Sequence, residues 1–270
     1  ATDGGSLRLV VPPEAKGTAR DFFVRLVVTA DEIPDIEKRL EKLGELAEKY
    51  IDINGIIQAA GSDIPEFSFP AINALNTGKT PVVAVAKDRA FCFIYEDNID
   101  LLKRLGCEIR YFSPLDDAAG PDDADGLILC GGYPELYAQR LAENKEIRSD
   151  IQKKINSGMP TIAECGGFMY LHDTFTDMNG NEYQGAGVIR GKAYRTDRLQ
   201  RFGYIALTAK HDCLICKAGD TFNAHEFHYW ECSNNGKDRD MASCKNLYKR
   251  DDPLQDTYVL YSRRSFRRRI

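Results

Sequence analysis

Pro160-Thr-Ile-Ala-Glu-Cys-Gly-Gly-Phe-Met-Tyr-Leu171 is the stretch of sequence that decides the fold. The apolar run 160–163 predicts a buried strand, and the apolar run 168–171 predicts the start of a helix. Cys165 stands between them on a sharp turn, which is the arrangement of a nucleophile elbow. Glycines allow so tight a turn, and the N-terminus of a helix lowers a thiol pKa and offers N–H groups to an anion. The stretch indicates either a nucleophilic cysteine or a buried cysteine in an ordinary strand-to-helix turn.

Strands and helices alternate on the N-terminal side of this elbow. The run 82–86 is almost continuously apolar, as in a parallel strand covered on both faces. Further strands are predicted at 107–112 and 126–130. Helices are predicted at 97–105, which Gly106 follows, and at 136–158, which ends at Gly158. The alternation predicts an α/β fold with an open, mostly parallel sheet, whose sites form at the carboxyl ends of the strands.

The two flanks of this region follow other patterns. Leucines recur at helical spacing among charged residues in 31–51, which predicts an amphipathic helix. After residue 173 the sequence becomes β-rich, with alternating runs at 200–207 and 224–230 and a last strand at 258–261.

Composition limits the function classes. The 270 residues carry a net charge of −5 and 43% apolar residues, which is typical of a globular protein and does not favour nucleic acid as a partner. The sequence has no apolar run of about 18 residues, so no membrane span is predicted, and its polar first residues do not resemble a signal peptide. Eight scattered cysteines, several in strand-like runs, favour reduced thiols and a cytoplasmic protein.

A thiol nucleophile needs a base, and the sequence offers four histidines. His172 is predicted on the helix that leaves the elbow, pointing away from its tip, and His211 lies in a polar stretch. His225 and His228 are three residues apart on one predicted strand, so their side chains face opposite sides and at most one of them meets Cys165. Each histidine could also be purely structural.

An oxyanion produced at Cys165 would need backbone N–H donors. Gly131-Gly132, at the end of the strand 126–130, and Gly166, next to the cysteine, are the natural candidates. The alternative for the glycine pair is a plain tight turn.

Two further motifs are weak. Asn76-Thr-Gly-Lys-Thr80 ends like a phosphate-binding loop, but Asn73 stands where that loop requires glycine and no strand precedes it, so a surface turn is the better interpretation. Cys213 and Cys216 have the spacing of metal ligands, but no second pair has it, and no metal site is predicted.

Six strings in order resemble the glutamine amidotransferase half of cobyrinic acid a,c-diamide synthases, the match running from about residue 26 to about 262. They are Ala86-Lys-Asp-Arg-Ala-Phe-Cys-Phe-Ile-Tyr95, Phe112-Ser-Pro-Leu115, Gly131-Gly-Tyr-Pro-Glu-Leu136, Ala163-Glu-Cys-Gly-Gly-Phe-Met-Tyr170, Arg198-Leu-Gln-Arg-Phe-Gly-Tyr204 and His225-Glu-Phe-His-Tyr229. The resemblance implies a flavodoxin-like sheet of the class I amidotransferase type. It also implies that a cysteine takes ammonia from glutamine for two carboxylates of a corrinoid precursor.

The resemblance assigns roles residue by residue. Cys165 would form the γ-glutamyl thioester, His228 would activate the thiol, and Gly132 and Gly166 would flank the oxyanion. Many class I amidotransferases carry an acid two residues after the histidine, where this sequence has Trp230. We therefore expect a Cys–His dyad, with the group that orients His228 unidentified.

The resemblance also implies a domain organisation. Residues 1–75 would be the last part of an ATP-binding domain and a helical linker, 80–262 the amidotransferase domain, and 263–270 a basic tail. ATP and Mg²⁺ would act in that absent ATP-binding domain, and no cofactor is expected in this chain. Three questions stay open: whether nickel-sirohydrochlorin is the acceptor instead, whether the chain is a non-catalytic docking domain for a separate ATPase, and whether it forms a homodimer.

Overall fold

The computed structural model describes residues 35–61, 74, 78–197, 201–209, 212, 214–233, 241–246 and 260–263. Contacts divide the chain into two compact units, 1–71 and 72–270. The predictions for the start of the chain and for most of the basic tail 263–270 lie outside the described residues; Arg263, the first residue of that tail, ends a strand.

In its described residues, 35–61, the first unit contains two helices, α1 (Ile36–Tyr50) and α2 (Ile53–Ala60). The amphipathic pattern predicted α1, although none of its residues is buried. Asp52 caps α2 by accepting a hydrogen bond from the Gly55 N–H at 2.9 Å, as N-cap residues do.

A five-stranded sheet forms the centre of the second unit. Its order is β12-β4-β3-β1-β2, with β1 to β4 parallel and β12 antiparallel to β4. The strands are β1 (Val82–Ala86), β2 (Glu108–Phe112), β3 (Gly126–Leu129), β4 (Thr161–Glu164) and β12 (Leu260–Arg263). The order 2-1-3-4 is that of flavodoxin-like folds, so the predicted fold class is confirmed.

The helices of this unit are α3 (Glu96–Arg104), a 3₁₀ turn (Pro134–Tyr137), α4 (Ala138–Glu143), α5 (Lys145–Asn156) and α6 (Gly166–Tyr170). The prediction of one helix over 136–158 was wrong, because the chain leaves helical geometry at Asn144. The Asn144 amide donates to the carbonyls of Pro114 and Asp117 at 3.1 and 2.9 Å. These contacts with the loop after β2 compete with continuation of the helix.

Two smaller sheets follow the elbow. The first has the order β10-β7-β5-β6 and the second β11-β8-β9. Their strands are β5 (His172–Thr176), β6 (Glu182–Gln184), β7 (Ile189–Arg195), β8 (Arg201–Ala209), β9 (Thr221–His228), β10 (Trp230–Cys232) and β11 (Met241–Asn246). The predicted alternating strands at 200–207 and 224–230 correspond to β8 and to β9 with β10.

The central sheet is covered on both faces, as its apolar strands predict. On one face Ile147, Ile151 and Ile155 of α5, all essentially inaccessible, belong to the main apolar core with Leu129 and Ala163. Burying each isoleucine contributes about 1.5–3 kcal/mol. On the other face Ile99 of α3 packs with Val85 and Cys130. In the described part of the chain, no helix is long and apolar enough to cross a membrane.

Candidate active site

Cys165 occupies the turn between β4 and α6 that the sequence predicts. Its φ of 46° and ψ of −107° lie in a region that L residues rarely adopt, at a cost on the order of 1–3 kcal/mol. The Cys165 carbonyl accepts the Met169 N–H at 2.9 Å, so the turn leads directly into the helix. Gly167 makes the turn possible, because a Cβ atom there would lie 2.2 Å from the Leu129 carbonyl oxygen.

The structure brings the predicted glycines together beside this cysteine. A Cβ on Gly131 would lie 3.5 Å from the Cys165 Cβ. A Cβ on Gly166 would lie 3.1 Å from the Gly132 nitrogen and 2.8 Å from the Pro134 Cδ. The backbone of Gly132 and that of Gly166 are therefore neighbours, which is the arrangement that two N–H donors to one oxyanion require.

The loop after β1 supports the glycine pair, a feature that our sequence reasoning missed. The Ala90 carbonyl accepts the Tyr133 N–H at 2.9 Å, and the Phe93 N–H donates to the Gly131 carbonyl at 3.0 Å. Gly132 fits only because it lacks a side chain, since a Cβ there would lie 2.2 Å from the Ala90 oxygen. The string 86–95, one of the six that carry the resemblance, contains this loop, but the resemblance assigned no role to it.

The Cys165 thiol is strongly disfavoured as a thiolate in the free chain. Although the residue keeps some exposure, burial, with smaller contributions from the Glu135 and Glu164 carboxylates, raises the pKa of its thiol to about 11, against the lowering effect of the Gly166 N–H. At pH 7 only about one thiol in 10⁴ would be ionised. Reaction therefore requires a base that takes the proton, or a change in this environment.

Cys130 is a second cysteine at the same edge of the sheet. It follows β3, next to β4 in the register Leu129↔Ala163, so Glu164 lies beside it on the neighbouring strand. Burial, then Glu164 and Cys92, raise the pKa of the Cys130 thiol to about 11, while burial also raises the pKa of Glu164. Cys130 packs with Val85 and Ile99 in the apolar layer under α3.

His228 is the last residue of β9, and its side chain is half-buried. Its Nδ1 lies 2.8 Å from the Trp230 carbonyl oxygen. Because a carbonyl only accepts hydrogen bonds, Nδ1 carries the proton and Nε2 keeps the lone pair of a base. The Trp230 carbonyl thus orients the imidazole of His228, and a main-chain partner of this kind leaves no side-chain motif in the sequence.

The other histidines have different surroundings. His172 begins β5 and is not on a helix as predicted; it is fully buried, with Nδ1 3.0 Å from the Phe168 carbonyl oxygen. His225 is exposed, with its ring 5.2 Å from that of Tyr204 on β8. His211 lies outside the described residues.

Cys165 interacts with Gly131, Glu135, Glu164 and Gly166, and His228 with Trp230. The structure thus assembles the cysteine with its glycines, while the pairing of Cys165 with His228 stays a prediction.

The two weak motifs gain no support. Lys79 forms an ion pair with Asp125, which also accepts the Val82 N–H at 3.0 Å, so the segment 78–80 is tied to the start of the sheet and does not fit a phosphate. Cys213 lies outside the described residues, and within them no group of three or more His, Cys, Asp or Glu residues could hold a metal ion.

An open parallel sheet in the order 2-1-3-4, with a cysteine elbow and an adjoining glycine pair at its carboxyl edge, defines an α/β protein of flavodoxin-like topology. A family model described as the CobB/CobQ-like glutamine amidotransferase domain matches residues 82–264. The chain therefore belongs to this family of glutamine amidotransferase domains.

Curated relatives carry a more specific name. The cobyrinate a,c-diamide synthase of Thermoplasma volcanium is 40% identical over 205 residues, which are 75% of this chain and 44% of the relative. That of Picrophilus torridus is 37% identical over 221 residues, 79% of this chain and 49% of the relative. The chain spans less than half the length of these relatives. Among solved structures, PurLQS from Thermotoga maritima is similar with a TM-score of 0.43 and 17% identity, over 63% of this chain and 83% of that chain.

Proposed function

We propose that this chain is the glutamine-hydrolysing part of a cobyrinate a,c-diamide synthase. The observation that carries the proposal is the strained Cys165 elbow with the backbone of Gly132 and Gly166 directly beside it. The names of the curated relatives supply the acceptor, a corrinoid with carboxylates a and c.

The proposed reaction begins when His228 Nε2 takes the thiol proton and Cys165 Sγ attacks the γ-carbonyl carbon of glutamine. The carbonyl oxygen becomes an oxyanion that accepts hydrogen bonds from the N–H groups of Gly132 and Gly166. Collapse of this intermediate breaks the carbon–nitrogen bond, and the proton held by His228 leaves with ammonia. A γ-glutamyl thioester remains on Cys165.

Water then attacks the thioester, with His228 again accepting a proton. Breakage of the carbon–sulfur bond returns the thiol and releases glutamate. The Trp230 carbonyl stabilises the imidazolium in both halves of the reaction, because it accepts the Nδ1 proton throughout.

The ammonia would serve the amidation of the corrinoid carboxylates, which ATP and Mg²⁺ activate in a different domain of the full enzyme. Two observations support placing ATP and Mg²⁺ in that other domain: Lys79 forms an ion pair with Asp125, and no group of three or more His, Cys, Asp or Glu among the described residues could hold a metal ion. Nickel-sirohydrochlorin is the alternative acceptor, and amidation assays with the two tetrapyrroles on the full enzyme distinguish them.

One observation favours a second candidate, a docking domain without catalysis. The thiol pKa of about 11 makes Cys165 a poor nucleophile in the free chain. A single experiment separates the two candidates: ammonia release from glutamine is compared between the chain and Cys165→Ala, and 6-diazo-5-oxonorleucine adducts are located by mass spectrometry. Cys165-dependent ammonia release with one adduct on Cys165 supports hydrolysis. Labels spread over several cysteines without turnover support the docking domain.

A further inference from the structure

The side chain of Asp88 joins two loops at the carboxyl edge of the central sheet. Its Oδ1 accepts the N–H groups of Ala90 and Phe91 at 2.8 and 3.0 Å. Its Oδ2 accepts the Ser113 hydroxyl and the Leu115 N–H, both at 2.9 Å. Four hydrogen bonds use the full acceptor capacity of a carboxylate, and bonds to an ionised acceptor are stronger than neutral ones.

The segment that Asp88 holds is the one that contacts the glycine pair. Ala90 and Phe91 are completely buried, and backbone hydrogen bonds between Asp88 and Phe91 close the turn between them. The Ala90 carbonyl leaves this turn and accepts the Tyr133 N–H. The same oxygen also lies against the Cα of Gly132, where a Cβ would meet it at 2.2 Å.

Contacts thus run without a gap from Asp88 to the nucleophile. Ala90 supports Gly132, the Gly132 nitrogen lies beside Gly166, and Gly166 adjoins Cys165. The direction of the Gly132 N–H depends on this support, and an error of 1 Å in such a position can cost about 10²-fold in rate.

If Asp88 served only to hold its own turn, the two hydrogen bonds to its Oδ2 would not be needed. The turn is already closed by its backbone bonds and by Oδ1, whereas Oδ2 reaches Ser113 and Leu115, 25 and 27 residues away. This second attachment fixes the turn to the end of β2, so that Ala90 cannot shift relative to the sheet.

We propose that Asp88 is a positioning residue, which holds the Ala90 carbonyl and through it the backbone of Gly132 in the orientation that receives the oxyanion. Asp88 touches neither the reacting atoms nor the substrate. The inference rests on the proposed glutamine hydrolysis and names a further residue on which that reaction depends.

Asp88→Asn is the direct test. An amide offers N–H donors at one end, so one of the two loops would face a donor instead of an acceptor. The matched control is Asp117→Asn, because Asp117 is exposed and its Oδ2 accepts the Ser113 N–H at 2.7 Å in the same loop after β2. In Asp88→Asn we expect kcat for glutamine to fall about 10²-fold, with KM changed less than about threefold, and in Asp117→Asn we expect both within about twofold.

Alkylation of Cys165 by iodoacetamide separates positioning from general damage, since this displacement forms no oxyanion. Its rate should stay within about twofold of the original protein in Asp88→Asn, while kcat falls. The proposal is overturned if kcat is retained within about threefold, or if alkylation slows in parallel with kcat. If Asp88→Asn does not fold, Ser113→Ala tests the proposal instead, because it removes one of the four hydrogen bonds to the Asp88 carboxylate. An unchanged kcat in Ser113→Ala would overturn the proposal.

A measurement without turnover distinguishes this inference from the proposed hydrolysis. The aldehyde of glutaric semialdehyde adds to the Cys165 thiol: a carbon–sulfur bond forms, and the former carbonyl oxygen takes up the thiol proton. In the resulting tetrahedral thiohemiacetal, this oxygen faces the N–H groups of Gly132 and Gly166. The adduct should protect Cys165 from iodoacetamide. We expect at least tenfold weaker protection in Asp88→Asn. If protection is weaker in Asp88→Asn but neither protein hydrolyses glutamine, the proposed hydrolysis is rejected and the role of Asp88 is supported. Equal protection in the two proteins, or none in either, rejects that role.

Discussion

The two halves of the candidate site are held by very different amounts of structure. Cys165 lies where β4 and α6 meet, with close backbone contacts at Gly166 and Gly167 and a large apolar core beneath. His228 ends a strand of a three-stranded sheet whose described buried core consists of Leu207 and Ala209. The proposed nucleophile is thus fixed by packing against a large core, whereas the proposed base lies at the end of a strand of a small sheet, with its Nδ1 on the Trp230 carbonyl. The proposed hydrolysis depends on both halves, whereas the stability of the fold should depend mainly on the first.

Replacing His228 should give the largest effect on activity and little effect on stability. We expect His228→Ala to lower kcat by about 10³-fold, the range for loss of a general base. The midpoint of urea unfolding should hardly change, because the side chain is only half-buried. The control is His225→Ala on the same strand, at an exposed position; equal losses of kcat in the two variants would contradict the assignment of the base.

Replacing Gly167 should lower mainly the stability of the protein. The Cβ of Gly167→Ala would lie 2.2 Å from the Leu129 oxygen, so α6 must move away from β3, at a cost of about 3 kcal/mol in the free energy of unfolding. Gly180→Ala is the control: its φ is 85° but nothing lies within 4 Å, so only about 1 kcal/mol of backbone strain is expected. Urea unfolding of both variants measures the difference, and equal losses would show that the elbow is less tightly packed than described.

The raised thiol pKa predicts the pH dependence of labelling at Cys165. Burial, Glu135 and Glu164 favour the neutral thiol, so the thiolate forms only as pH approaches about 11. The rate of iodoacetamide alkylation should rise about tenfold per pH unit from pH 7 to 10. An ordinary cysteine in a peptide, measured alongside, should level off near pH 9; the same plateau at Cys165 would mean that the thiol is not desolvated.

Removing one negative charge near the thiol should give the smallest effect. The Glu135 carboxylate has the largest charge effect on the Cys165 thiol, and it raises the thiol pKa. Because Glu135→Gln removes this charge, the thiolate should become more stable and the thiol pKa should fall. Alkylation at pH 8 should then be about two- to fivefold faster. Glu143→Gln is the matched control, an exposed carboxylate on α4 that accepts the Gln139 amide at 2.8 Å. Equal alkylation rates in the two variants would show that the Glu135 charge does not affect the Cys165 thiol.

Local patterns predicted the packed half of the site better than the other half. The continuous apolar run gave β1 with its observed bounds, and the glycines beside Cys165 predicted the elbow, because both signals lie within a few residues. The break at Asn144 and the strand position of His172 depend on contacts with distant segments, which periodicity does not register. The support of His228 escaped prediction for another reason: it is a main-chain carbonyl, and every residue type has one.

The antiparallel pairing of β12 with β4 has a consequence for the synthesis of the protein. Leu260 pairs with Glu164, the neighbour of the nucleophile, so about a hundred residues separate the two partners along the chain. On the ribosome the strand that leads to Cys165 remains an open edge until residues 260–263 have emerged, since pairing over such a separation forms late. The strand that leads to Cys165 therefore reaches its final pairing only after residues 260–263 have been made, and a shorter nascent chain would lack the finished edge on which the proposed hydrolysis depends.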